Sequence, residues 1–154
     1  MWSVSGYIKI VKEVTRHLLR RPVVGIAAAA RTDDGRWLLI RRGDTGQWAL
    51  PGGTLEWGET LREAIVRELA EEAGVDEVAL GEVLGVYSDP NRDPRFHAVT
   101  IVVGATIGTP TRGPENPVEV LEARLFNDAE LPTALGHGMG DMLELARKGE
   151  RFWE

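Results

Sequence analysis

Apolar positions change period several times along this chain, and each change predicts a different element. Over residues 5–20, Tyr7, Val11, Val14 and Leu18 recur at helical spacing with the basic residues mostly elsewhere, which predicts an amphipathic helix closed by Pro22. Residues 23–31 form a nearly continuous apolar run of strand length. With Asp33-Asp34-Gly35 as a turn and 36–42 as a second strand, 23–42 is expected to be a hairpin. Residues 43–47 read as a loop, and Pro51-Gly52-Gly53 as a sharp turn.

The helical period then returns. Leu61, Ile65, Leu69 and Ala73 advance along one apolar arc at about 100° per residue. Thr60 is the expected N-cap, with Glu63 completing a capping box, and Gly74 is the expected stop. Two longer strands follow at 78–88 and 96–107, joined by the polar segment 89–95. A Pro/Gly loop at 109–117, a final strand at 118–126 and a closing helix near 138–148 complete the chain.

At 154 residues the chain is expected to be a single domain with its own core, in which residues 1–22 are an N-terminal helix and 23–154 the body. Its 43% apolar and 27% charged residues are ordinary for a globular protein. No apolar run has the length needed to cross a bilayer, and no secretory signal is visible, so a cytoplasmic location without membrane contact is expected. The absence of cysteine excludes disulfides and thiolate metal sites. The net charge of −6 argues against a nucleic acid polymer as partner. Charge is unevenly spread: five Lys/Arg against Glu13 make residues 1–22 +4, leaving −10 for the remainder.

Six acids lie between Gly53 and Val75, and Glu68, Glu71 and Glu72 stand at i, i+3, i+4, which gathers their carboxylates on one side of a helix. Like charges so placed repel and weaken an isolated helix by roughly a few tenths of a kcal/mol per pair. A hard divalent cation is the most economical compensation, because Mg²⁺ and Mn²⁺ take oxygen ligands.

The stretch from Gly53 to Val75 resembles the Nudix hydrolase signature, G-x5-E-x7-R-E-U-x-E-E-x-G-U with U a bulky aliphatic. Gly53, Glu59, Arg67, Glu68, Leu69, Glu71, Glu72, Gly74 and Val75 fill all its specified positions. The resemblance implies an α/β fold, a Nudix-type α/β/α sandwich around a central mixed β-sheet. It also implies Mg²⁺- or Mn²⁺-dependent hydrolysis of a diphosphate linkage in a small-molecule nucleotide. Carried onto this chain, it makes Glu68 and Glu72 metal ligands and Glu71 a further ligand or the group that orients or deprotonates water. A carbonyl of Gly52 or Gly53 is an added oxygen donor. Glu59 and Arg67 orient the acids through ion pairs. In some such families the general base lies on a late loop, for which Glu115, Glu119 and Glu122 are the candidates.

Residues 87–97 look like the corresponding segment of ADP-ribose and nucleoside-diphosphate-sugar pyrophosphatases, with Phe96 where that subgroup often has glycine. Arg92 and Arg95 either bind phosphate or pair with Asp89 and Asp93. Arg41 and Arg42 are further phosphate candidates, and strand alternation allows only one of them to face the site. Trp48 is expected in the core or against a base, and His97 as a satisfied polar residue. The expected substrate is thus a nucleoside diphosphate sugar or ADP-ribose. The rival readings are a nucleoside triphosphate pyrophosphohydrolase that cleans the nucleotide pool and a non-catalytic nucleotide sensor. A homodimer is expected from the N-terminal helix and from the habit of similar proteins.

Overall fold

The computed structural model describes residues 4–154, with side chains from Tyr7 onward. Helix α1 (Val4–Leu19) is followed by β1 (Val23–Thr32), β2 (Trp37–Arg42), β3 (Trp48–Ala49) and β4 (Gly52–Thr54). Then come α2 (Leu61–Ala73), β5 (Val78–Tyr87), β6 (Ala98–Ile107), β7 (Val120–Phe126), α3 (Gly140–Lys148) and β8 (Phe152–Trp153). The eight strands join in one mixed sheet of order β3-β2-β1-β6-β5-β8, with β4 pairing to β1 and β7 to β2. The parallel β1–β6 ladder runs unbroken from Val23 opposite Ala98 to Thr32 opposite Ile107. The hairpin partner β2 meets β1 near the turn, at Arg31 opposite Trp37, and otherwise pairs along β7.

Strand β1 explains how the layers stack. Its residues Ile26–Ala30 are all buried, because helices cover both faces of the sheet there. Ile26, Ala28 and Ala30 point to α2 and pack with Ala64, Ile65, Leu69 and Ala73. Ala27 and Ala29 point the other way, into a core with Leu39, Tyr87, and Met142 and Leu143 of α3. Small side chains at the four consecutive positions 27–30 let both helices come close to the strand. This is the α/β/α sandwich expected from the sequence.

Three differences from the sequence reading have local causes. Gly52 and Gly53 are in an extended pair with Ala27 and Ile26 rather than in a turn. The strand at 118–126 is not the last, since β8 adds to β5 through Gly85–Phe152 and Val86–Trp153. Of the two roles the amphipathic pattern of α1 allows, packing on the domain or on a second subunit, the first is not seen: every side chain described in it, Tyr7, Val11, Val14 and Leu18 included, is exposed. Among the described residues no helix is long and apolar enough to cross a membrane.

The tightness around β1 sets an expectation. Ala28→Leu, which inserts three carbons beneath α2, should cost about 1–3 kcal/mol in unfolding free energy by urea denaturation. A cost near zero would show that the β1–α2 interface has slack.

Candidate active site

The acids of α2 are brought to one place by the meeting of this helix with β4. The helix begins as its sequence dictates: the Thr60 side chain accepts from Glu63 N, and the Glu63 carboxylate accepts from Thr60 N at 2.8 Å. It ends at Gly74 in the left-handed conformation, φ 63°. Between these caps the buried arc turns Glu68 and Glu72 toward the sheet and leaves Glu71 at the rim. Gly52 N donates to Glu72 Oε2 at 2.8 Å. Gly53 faces Glu68 so closely that a Cβ there would stand 2.8 Å from the carboxylate carbon and overlap Oε1. A side chain at Gly52 would collide with the Ile26 carbonyl of β1. Glycine at position 52 is thus a steric requirement of the β4–β1 pairing, whereas a side chain at position 53 would displace the Glu68 carboxylate.

Arg67 holds three carboxylates at once. Its Nε and Nη2 donate to the two oxygens of Glu59 at 2.8 and 3.1 Å, a bidentate pair. Its Nη1 donates to Glu68 Oε1 at 2.9 Å and to Glu71 Oε2 at 3.3 Å. Hydrogen bonding from Arg67 lowers the Glu59 pKa, and the Glu59 contact in turn raises that of Arg67. Glu68 is raised, chiefly because burial disfavours its charge and despite the Arg67 hydrogen bond. Glu72, only 6% exposed, is pushed up to about 8 by burial, against the opposing hydrogen bond from Gly52.

The hydrogen bonds of Glu68, Glu71 and Glu72 each engage a single oxygen of the carboxylate and leave the other for a ligand. The side chains are turned to Arg67 and Gly52 rather than to one point. Among the described residues no three carboxylate or imidazole groups already converge as a metal cage. The donor set fits a hard divalent ion: one oxygen of each acid is free of partners, and burial disfavours the uncompensated charge of Glu68 and Glu72.

Glu68 and Glu71 border a cleft of about 470 Å³ lined also by Gly52, Gly53, Arg67 and Glu119, while Glu72 lines an adjoining hollow. Arg42, Asp93, Arg95, Phe96 and His137 line it elsewhere. Alternation separates the two arginines of β2: Arg42 lines the cleft, while Arg41 pairs with Glu122 of β7 at 3.0 Å and is not in it. Arg92 also departs from the expected site. It bonds Gly138 O and Asp141 at 3.0 and 2.8 Å, pairs with Glu154, and lies over the Tyr87 ring, so it ties the 89–95 loop to the C-terminal elements. Arg95 does line the cleft, but with its guanidinium held by Asp93 at 2.7 Å and Asp44 at 3.3 Å. Of the late acids, Glu122 is taken by Arg41. Glu115 borders only an adjoining hollow, and Glu119 borders both spaces beside Glu68 and Glu71. Trp48 packs edge-on against Phe126, and His97 bonds Ser88 O at 2.9 Å.

His137 is the residue that periodicity and motif did not select. Among the described residues it alone, glycine aside, has positive φ (54°), a backbone state costing roughly 1–3 kcal/mol. Its imidazole is 6% exposed, and Nε2 is buried without a hydrogen-bond partner. Burial is the main cause of its lowered pKa. The one sequence signal was its place between Gly136 and Gly138, and its neighbours Asp44 and Asp93 are remote in sequence.

A mixed sheet between helices, with a Glu-rich helix laid on a glycine strand, defines the class. The NUDIX domain family matches residues 19–146, and the chain belongs to that family. It is 50% identical over 72 residues to an ADP-ribose pyrophosphatase of Methanocaldococcus jannaschii, covering 45% of this chain and 42% of that protein. It is 45% identical over 69 residues to a MutT-like protein of Streptomyces ambofaciens, 45% of this chain and 44% of that protein. The matches thus span under half the length of these curated relatives. The crystal structure of an ADP-ribose pyrophosphatase from Streptococcus suis superposes with TM-score 0.70 at 24% identity, covering 87% of this chain and all of that one, a likeness of fold.

Burial of Glu72 has a measurable consequence in protein stripped of divalent ions. The folded state holds the Glu72 proton up to about pH 8, and the unfolded state releases it near the ordinary value of 4.5. Stability should therefore fall as pH rises through that window, by at most about 1.4 kcal/mol per pH unit from this group. Denaturant unfolding with chelator from pH 5 to 8 should show a decline that Glu72→Gln flattens. Parallel pH profiles for the two proteins would refute the buried-acid description.

Proposed function

We propose that this chain is a Mg²⁺- or Mn²⁺-dependent hydrolase of the diphosphate linkage in a nucleoside diphosphate derivative, with nucleoside diphosphate sugars and ADP-ribose as its preferred substrates. The observation that carries this reading is the placement of Glu68 and Glu71 on a cleft large enough for a nucleotide, with Glu72 bonded to Gly52 of its lining. In this reading Glu68, Glu71 and Glu72 hold the metal, with the Gly53 carbonyl as a further oxygen donor. The bound dication would polarise the phosphoryl group and acidify water, which is the chemistry that an inert P–O–P bridge requires.

The remaining roles fall to the chain's own groups. Arg67 and Glu59 are positioning residues: the bidentate pair fixes the guanidinium, and the guanidinium fixes Glu68 and Glu71. Glu119, facing the acids from the start of β7, is the late carboxylate best placed to take a proton from attacking water. Arg42, Arg95 and Gly52 border the space for the rest of the substrate. The 50%-identical relative named for ADP-ribose hydrolysis supports the choice of substrate. The exposed apolar face of α1 supports residues 1–22 as an appendage to the 23–154 body that docks on a second copy in a cytoplasmic homodimer.

A nucleotide panel with Mg²⁺ or Mn²⁺, read by phosphorus NMR in ¹⁸O-water, tests the reaction. Nucleoside monophosphate plus sugar phosphate is the expected outcome. Pyrophosphate released from triphosphates would replace the substrate assignment, and binding without turnover of any nucleotide would end the hydrolase reading. Glu68→Gln with Glu72→Gln should lower kcat by about 100-fold or more, and Glu59→Gln by roughly 10–100-fold, as for lost outer support of a metal site.

A further inference from the structure

The end of the cleft around His137 has a charge and hydrogen-bond pattern unlike that of a phosphate site. Arg42 spends Nε and Nη2 on the two oxygens of Asp44, at 3.1 and 3.3 Å. Arg95 spends Nε and Nη2 on the two oxygens of Asp93, at 3.0 and 2.7 Å, and Nη1 on Asp44 at 3.3 Å. Two guanidiniums therefore face two carboxylates, and no cationic fork is left over. A phosphate would have to break these bidentate pairs and approach two carboxylates to reach either arginine.

A hydroxyl group has the opposite needs. It donates one hydrogen bond and accepts others, so it suits a place where carboxylates alternate with N–H groups. His137 supplies an unused polar group to such a place. Its Nε2 is 4.0 Å from Asp44 Oδ2 and its Nδ1 3.9 Å from Asp93 Oδ2, both too long for a direct hydrogen bond. One oxygen at about 2.8 Å from each partner spans such a gap. The Nδ1–Asp93 gap, whose two residues both line the cleft, provides for one hydroxyl, whereas Nε2 is fully buried. The side chains of His137 and Asp93 are 6% and 12% exposed, and Arg95, 39% exposed, stands beside them. The Phe96 ring, with Arg95 5.0 Å from its centroid, also borders this cleft.

From this geometry we infer that Asp93 and His137 form a subsite for a hydroxyl of a sugar carried on the diphosphate, with Arg95 holding the Asp93 carboxylate in place. The inference rests on the hydrolase reading above and names the part of the substrate that this end of the cleft selects. It also gives the left-handed backbone at His137 a purpose, since Gly136 and Gly138 on either side let the chain turn the imidazole inward.

The test compares two substrates of the intact enzyme with Mg²⁺ or Mn²⁺: ADP-ribose, and the adenosine diphosphate ester of tetrahydrofurfuryl alcohol. The ester keeps ring, methylene and diphosphate and lacks the sugar hydroxyls. The parent should favour ADP-ribose in kcat/KM by about tenfold or more, because unmade hydrogen bonds at a polar subsite are costly. His137→Gly and Asp93→Asn should each bring that ratio to within about threefold of one, mainly through KM. His137→Gly is the cleaner variant, since glycine accepts φ 54° without strain and its melting temperature should not fall. Equal use of both substrates by the parent, or a preference that survives in folded His137→Gly, overturns the subsite and leaves the hydrolase reading standing. Cleavage of neither substrate by the parent overturns both.

Discussion

The approach of α2 to β4 is the constraint on which the rest of the molecule depends. Gly52 is pressed against the Ile26 carbonyl of β1 and Gly53 against the Glu68 carboxylate of α2, so a side chain at the first would break the strand pairing and one at the second would push the carboxylate aside. That closeness allows the Gly52 amide to reach Glu72, and it also strips water from Glu72 and Glu68. The same contact that places the acids makes their charge unfavourable. Packing farther out answers to it too, because Ala28 and Ala30 of β1 lie under α2 and are small where a larger residue would lift the helix away.

Gathering acids this way needs compensation, and the chain supplies only part of it. Arg67 offsets Glu59, Glu68 and Glu71 through one guanidinium, but Glu72 receives no cation among its hydrogen-bond partners, only a backbone amide. One charge against three, with a fourth carboxylate buried beside them, leaves a negative site. A purely structural cluster would be expected to bury neutral groups here or to pair each acid, since unpaired buried charge is costly. The residual imbalance is what a dication and an anionic nucleotide together would cancel.

How much of this was legible in the sequence depends on the range over which each feature is specified. Helix α2 and its acids were legible because capping, apolar arc and carboxylate spacing are all written within four residues of one another, and Thr60, Glu63 and Gly74 cap it as expected. The β1 run was legible as a strand, and its burial on both faces follows from four alanines in a row. What was missed depends on remote partners. Strand β8 has two residues and exists only because β5 has a free edge beside Gly85 and Val86. Arg92 looked like a phosphate ligand because Asp141 and Glu154, which hold it, lie 49 and 62 positions away. Helix α1 was legible as amphipathic, but amphipathicity cannot say what its apolar face meets.

His137 shows why a site can be half visible. The Glu-rich end of the cleft is encoded in one segment, whereas the opposite end is assembled from residues near 44, 93 and 137, which share neither motif nor periodicity. Its components also disguise one another. An arginine beside an acidic loop invites a phosphate reading until pairing is counted, and the count here is two forks on two carboxylates. The Glu-rich helix is encoded locally, whereas the cluster around His137 depends on contacts between segments far apart in sequence. The cleft is thereby divided by charge: an acidic end that needs a cation, and a neutral end already balanced, suited to groups that donate and accept hydrogen bonds rather than to a second concentration of charge.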